Sequence, residues 1–174
     1  EMESNGKSVT RTGASVQWAT SPTVWGEPGS NGQHAFFQLL RQGTQIIPVE
    51  FIAVRQEEHD WPEHHTLLLA NALAQAQALM LGHDHPDPQR RIAGGRPSTF
   101  IVLPGLTPRT LGALLALYEH RTFVCGAVWG INSFDQWGVE QGKALAQDLS
   151  RRWRDGDTSG LDPSTANLLR KLRQ

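Results

Sequence analysis

Hydrophobic and polar positions change period several times along this chain, and each change marks an expected element. Residues 1–33 show no period: Gly, Ser, Thr and Pro dominate, with the turn signals "SNGK", "TSP" and "EPGSNG". One short strand is expected there, over residues 15–20. Beyond Asn31 and Gly32 the spacing becomes helical through Phe36, Phe37, Leu39 and Leu40, with Gly43 as the stop. "QIIPVEFIAV" then reads as a strand weakened at Pro48, which has no N–H to give a ladder and so suits an edge or a bulge. Residues 64–81, "HHTLLLANALAQAQALML", are rich in Leu, Ala and Gln and long enough for a buried helix. A Pro- and Gly-rich loop follows, then a β-type run, "TFIVLP", bounded by Pro97 and Pro104. Thr107 suits an N-cap and Pro108 the first position of a helix whose stripe is Leu111, Leu114, Leu115 and Tyr118. Ser133 and Gln136 have capping-box spacing at the head of a last long helix running through Leu145, Leu149 and Trp153. After Arg154 a polar linker, "DGDTSGLDPST", leads to a short basic helix over residues 167–173. Helix alternating with strand is the minimal α/β signature.

Composition narrows the function classes. The 174 residues suit one domain, and 39% hydrophobic with 19% charged residues describes a globular chain. Sixteen basic against seventeen acidic side chains leave a net charge of -1, so neither nucleic acid nor a membrane is an expected partner. Cys125, the single cysteine, cannot form an internal disulfide, which points to a reducing cytoplasm. No apolar run reaches the roughly 18 residues that span a bilayer. The chain opens with Glu1 and not methionine, which reads as a trimmed chain or a fragment.

Candidate chemistry centres on "FDQWGVEQGK". At about 100° per residue, Gln136, Glu140, Lys143 and Gln147 fall within an arc of roughly 60°. Phe134, Gly138, Gly142, Leu145 and Leu149 lie opposite. Such a stripe is the ordinary solvated face of an amphipathic helix, with Glu140 and Lys143 paired at i, i+3, or it is the wall of a site. Periodicity does not separate the two. Seven histidines raise the question of a metal, but no HExxH and no thiolate cluster is present, and none is expected. His34 is set apart by its place at the expected start of a helix, after a Gly-rich turn, where free N–H groups and a titratable ring meet. "GEPGSNG" lacks the GxxxxGK[ST] spacing of a phosphate loop, and no GxSxG nucleophile elbow occurs.

Four stretches in order carry a resemblance: "MESNGK" from Met2 to Lys7, "VWGEPGSNGQHAFFQL" from Val24 to Leu39, "LTPRTLGALLALYEHRTF" from Leu106 to Phe123, and "INSFDQWGVEQGKALA" from Ile131 to Ala146. Together they resemble the C-terminal part of the glucose-6-phosphate isomerase (phosphoglucose isomerase) family. The resemblance runs from Glu1 to about Arg154. It implies an α/β fold: a three-layer sugar-isomerase (SIS)-type domain with a parallel-sheet core, incomplete at its N-terminus, plus C-terminal helices. Residues 1–154 are expected to be the C-terminal part of the second such subdomain with its following helices, and residues 155–174 a linker and tail helix.

The resemblance also implies roles. Glu3 would be the catalytic base that moves a proton between C1 and C2 of an open-chain sugar phosphate. His34 would help open the pyranose ring, reaching the site across the interface of a homodimer. Lys143 would act with it at the ring and hydroxyl oxygens, and Gln136 would contact the bound sugar phosphate. Glu140, between them, would be a supporting charge partner. The implied substrates are glucose 6-phosphate and fructose 6-phosphate, with no cofactor. The family's phosphate-binding Ser/Thr loop and an enediolate-stabilising arginine are expected upstream of Glu3, so the chain alone is expected to be inactive. The sequence departs from the family pattern at "GGRPS", "WGIN" and "DPSTAN" and in a short segment 82–97. A noncatalytic sugar-phosphate-binding or interaction module is the alternative, although such a module has no use for the base at Glu3.

Overall fold

The computed structural model describes residues 1–173. In chain order its elements are α1 (Met2–Asn5), α2 (Gly29–Ala35), α3 (Phe37–Gln42), β1 (Val49–Val54), α4 (Pro62–Leu81), a 3-10 turn (Pro88–Arg90), β2 (Ser98–Leu103), α5 (Pro108–Trp129), α6 (Trp137–Asp155) and α7 (Pro163–Leu172). Two compact units form. One combines Glu1–Pro22 with the chain from Thr122 onward; the other is Thr23–Arg121.

The unit Thr23–Arg121 is built on a β-α-β crossover. β1 and β2 pair in parallel with Val49 opposite Ser98 and Val54 opposite Leu103, and α4 is the connection that parallel pairing requires. β1 begins directly after Pro48, as the missing N–H demands. Along β1 burial alternates, with Phe51 and Ala53 more covered than Glu50 and Ile52. The core is small: Phe37, Leu40 and Leu79 are buried, and Phe36, Ile47, Val49 and Phe51 pack against them. A chain of rings extends it, from Trp25 edge-on to Phe36 (centroids 4.2 Å apart), through Phe37, to Phe51 stacked on its register partner Phe100 at 5.7 Å. Tyr118 of α5 donates to Glu50 of β1 at 3.0 Å, and Arg121 pairs with the same carboxylate at 2.8 Å. Partial burial first, and the Glu50 carboxylate second, push the Tyr118 phenol up.

Several elements differ from the sequence reading. The helix expected after Gly32 starts earlier, at Gly29, and is broken at Phe36, whose φ of -138° and ψ of -1° interrupt the spiral. The break directs Phe36 and Phe37 to different ring partners. α4 starts two residues before the expected His64, at Pro62, which fits a first helical position. It is not a buried helix: only Gln75 and Leu79 are buried, while Leu67, Leu68, Leu73 and Met80 are exposed. A two-stranded sheet covers one face of it and no more. No strand forms over residues 15–20, where a single bridge between Val9 and Ser15 stands instead. Thr107 does cap α5, its hydroxyl accepting from the Thr110 N–H at 3.2 Å. α5 then runs on to Trp129 because "FVCGAVW" contains nothing that stops a helix.

In the other unit, Ile131 is fully buried, and the Arg11 guanidinium donates to its carbonyl at 3.0 Å. α6 closes on Gly156 in the left-handed region, φ 71° and ψ 20°, where a side chain would be strained. Arg152 ties the turn together by reaching Asp148, Asp157 and the carbonyl of Ser159. α7 begins at Pro163, not near 167, because the Asp162 carboxylate accepts from the Ser164 and Thr165 N–H groups. The bond to Thr165 is the main reason the Asp162 carboxyl lies below its usual range. No helix among the described residues is long and apolar enough to cross a membrane.

The ring-lined core gives a first test. Leu79 is wholly inaccessible between α3 and the sheet, so Leu79→Ala should cost about 2–5 kcal/mol in urea unfolding. A loss below about 1 kcal/mol would mean that the site collapses around the deletion.

Candidate active site

The stretch "MESNGK" folds into one helical turn. The Asn5 N–H reaches the Glu1 carbonyl at 2.8 Å and the Gly6 N–H reaches that of Met2 at 3.0 Å. Residues two apart on a helix point in nearly opposite directions. Burying Asn5 therefore turns Glu3 outward, and Glu3 is exposed while Asn5 has no accessible surface.

Asn5 is held on every side. Its amide nitrogen donates to the Thr122 carbonyl at 2.8 Å and to the Glu1 carboxylate at 3.1 Å, and its carbonyl oxygen accepts from the Ser133 hydroxyl at 2.6 Å. Both amide hydrogens and the oxygen are thus used, which removes the desolvation cost of a buried amide. The contact with Ser133 is close to α5, and Gly126 makes it fit: a Cβ there would meet the Ser133 hydroxyl and crowd Asn5 Oδ1. Ser133 does not cap α6 as its spacing suggested, since its hydroxyl is committed to Asn5. Gln136 occupies the cap position itself, with φ -137°, ψ 43° and no side-chain capping bond.

Lys7 makes a second tie within the same unit. Its ammonium donates to the carbonyls of Glu3 (3.3 Å), Ser4 (2.9 Å) and Asp135 (2.6 Å), and lies 3.5 Å from the Asp135 carboxylate. The loop before α6 is braced further by Asn132, which donates to Asp135 at 2.7 Å and accepts from the Phe134 N–H at 3.2 Å. Gln136 follows directly.

Glu3 stands on α1, Gln136 at the cap of α6 and Lys143 inside α6, all exposed and all in one unit. Because Gln136 precedes the first helical residue, helix geometry does not hold it to the stripe; it holds Glu140, Lys143 and Gln147. No ion pair forms between Glu140 and Lys143 among the described residues. His34 belongs to the other unit. It lies in the last turn of α2 and not at a helix start, so the free N–H groups of a helix N-terminus do not surround it. Among the described residues, none of the side chains of Glu3, His34, Gln136 and Lys143 makes a hydrogen bond or ion pair, which leaves each available to a ligand. No group of three or more His, Cys, Asp or Glu converges among the described residues.

Asn5, Lys7, Ser133 and Asp135 carry the geometry without having been singled out for it. All four lie inside the quoted stretches "MESNGK" and "INSFDQWGVEQGKALA", and that adjacency is the signal the sequence offers. The contacts span 128 positions in sequence, beyond the reach of any local pattern.

The fold matches that of a crystal structure of a glucose-6-phosphate isomerase from Chlamydia trachomatis D/UW-3/Cx, with a TM-score of 0.84 and 41% identity over 98% of this chain and 33% of that one. This defines the class, an α/β protein of the sugar-isomerase type with a parallel sheet. The phosphoglucose isomerase family model matches residues 1–169, and the chain belongs to that family. It is 61% identical over 173 residues to the glucose-6-phosphate isomerases of Albidiferax ferrireducens and of Polaromonas naphthalenivorans, in each case over 99% of this chain and 33% of the relative. The chain thus spans about a third of the length of the curated relatives it matches.

The packing at Gly126 is testable. Glycine to alanine inside a helix ordinarily gains about 0.5–1 kcal/mol. Here Gly126→Ala should instead destabilise by about 1–3 kcal/mol as the new methyl group drives Ser133 off Asn5. A variant as stable as the parent in thermal unfolding would show that the Asn5–Ser133 contact is dispensable.

Proposed function

We propose that the protein containing this chain interconverts glucose 6-phosphate and fructose 6-phosphate. What carries the reading is the outward-facing Glu3 on a turn braced to the loop of Gln136, in a chain that belongs to the phosphoglucose isomerase family.

The chemistry suits these residue types. Ring opening needs a proton delivered to the ring oxygen and one removed from the C1 hydroxyl, a task for a histidine and a lysine, His34 and Lys143. In the open chain, the Glu3 carboxylate takes the C2 proton to leave a cis-enediol(ate), and the hydroxyl proton of O2 passes to O1. Glu3 then returns that proton to C1 while C2 becomes the ketone carbonyl. One carboxylate suffices because the proton leaves and returns on the same face. Gln136 binds the sugar phosphate. His34 comes from the partner subunit of a homodimer in this reading. The reaction belongs to glycolysis and gluconeogenesis in the cytoplasm. Residues 1–154 act as the C-terminal part of a second SIS-type subdomain, and residues 155–174 as its tail.

Two outcomes are expected. In a full-length protein carrying this sequence, Glu3→Gln should lower kcat at least ~100-fold, the usual scale for a lost general base. Unchanged turnover in a coupled assay would remove Glu3 from its role. The 174-residue chain alone should fall short of family turnover by ~10²–10³ or more, because the arginine and phosphate loop expected upstream supply the charge stabilisation. Turnover at family levels by the purified chain would overturn that.

A further inference from the structure

We infer that Lys7 is a positioning residue for the isomerisation, setting the place of the base Glu3 relative to the loop that presents Gln136. The inference rests on the reading of Glu3 and Gln136 given above. Its ground is a convergence at one atom. The Lys7 ammonium donates to the backbone carbonyl of Glu3 itself, to that of Ser4, and to that of Asp135, the residue before Gln136. A lysine ammonium has three hydrogens, and three carbonyls converge on it.

The fourth contact, the Asp135 carboxylate at 3.5 Å, adds charge attraction without changing the geometry. Lys7 is mostly covered, with 15% of its side chain exposed, so water replaces its hydrogen bonds poorly. The long stem is tied down at its root as well, since the Lys7 N–H reaches the Asn5 carbonyl at 2.8 Å and the Lys7 carbonyl accepts from Thr20 Oγ1 at 2.9 Å. Asn5 fixes the turn of α1 against α5 and Ser133; Lys7 fixes the same turn against the residue that precedes Gln136. The two ties act at different points, and only Lys7 touches the backbone of Glu3. Lys7 has no contact with the Glu3 carboxylate, so it acts through position and not as an acid or base.

Loss of the ammonium leaves Glu3 on its turn but with a wider range of placements. Misplacement by about 1 Å costs on the order of 100-fold in rate. A loosened base also gives its captured proton more time to exchange with water before returning it.

The test uses a full-length protein, supplied by a chimera in which this sequence replaces the matching third of the Albidiferax relative. Lys7→Met should lower kcat by about 10- to 100-fold with KM within ~3-fold of the parent. Starting from glucose 6-phosphate deuterated at C2, less deuterium should be retained at C1 of the fructose 6-phosphate. Lys7→Arg, which keeps the charge and donors, should recover most of both. Deuterium retention is read per turnover, so a reduced folded yield does not alter it, and Lys7→Gln is read the same way if the methionine variant does not fold. Retention and kcat per folded molecule equal to the parent would overturn the inference. Glu3→Gln in the same chimera separates the two claims: if it turns over like the parent, the assignment of the base fails, whereas an inactive Glu3→Gln beside a normal Lys7→Met removes only the role of Lys7.

Discussion

The burial of one amide, that of Asn5, governs the arrangement of the "MESNGK" turn and of the loop before α6. An amide with no accessible surface is tolerable only when its hydrogens and oxygen are all bonded, since each unmet group costs about 1–3 kcal/mol. Thr122, Glu1 and Ser133 meet those needs. The consequences spread from there. α1 is oriented with Glu3 outward, Ser133 is drawn inward and lost as a helix cap, and α5 carries a glycine where any side chain would intrude.

The other unit is held by a different kind of force. Its core is a file of edge-on, stacked and tilted rings from Trp25 to Phe100, packing that depends on apolar area and ring geometry and on no hydrogen bond. Polar bonds appear at its margin. Arg96 donates to the carbonyls of Gly43 and Gln45, and Gln42 to those of Gln89 and Arg91, tying together the segments that lead into β1 and β2. The sheet is two strands wide, so α4 and the first part of α5 keep apolar side chains in the open, with Leu68, Leu73, Leu111 and Leu115 exposed. In a chain that spans a third of its relatives' length, core and surface cannot be told apart from apolarity alone.

That contrast explains which elements were legible. Pro48, Pro62, Thr107 with Pro108, and Asp162 act through the backbone of their own neighbourhood, and each marks a boundary that the structure keeps. Apolar periodicity alone starts the helices at Pro62 and Pro163 two to four residues late, because their first turns carry few apolar residues. Phe36 shows the opposite case. Nothing in "HAFFQLL" forbids a continuous helix, yet the chain breaks there so that two adjacent rings serve different partners. Ser133 fails for a related reason: its spacing to Gln136 is right for a capping box, but a buried acceptor 128 residues away competes for the hydroxyl and wins.

By itself the sequence determined the α/β alternation, the family, and the identity of the residues proposed to do chemistry, because helix signals and motif residues are short-range properties of the chain. It also held "MESNGK" and "SFDQ" as two separate words. Only the tertiary structure decided that they belong together, through Lys7 on Asp135 and Asn5 on Ser133. It likewise decided that Gln136 stands at a helix cap and His34 at a helix end. The physical reason is that a hydrogen bond between residues 128 apart leaves no period in the sequence, whereas a helix or strand repeats its signal every few residues.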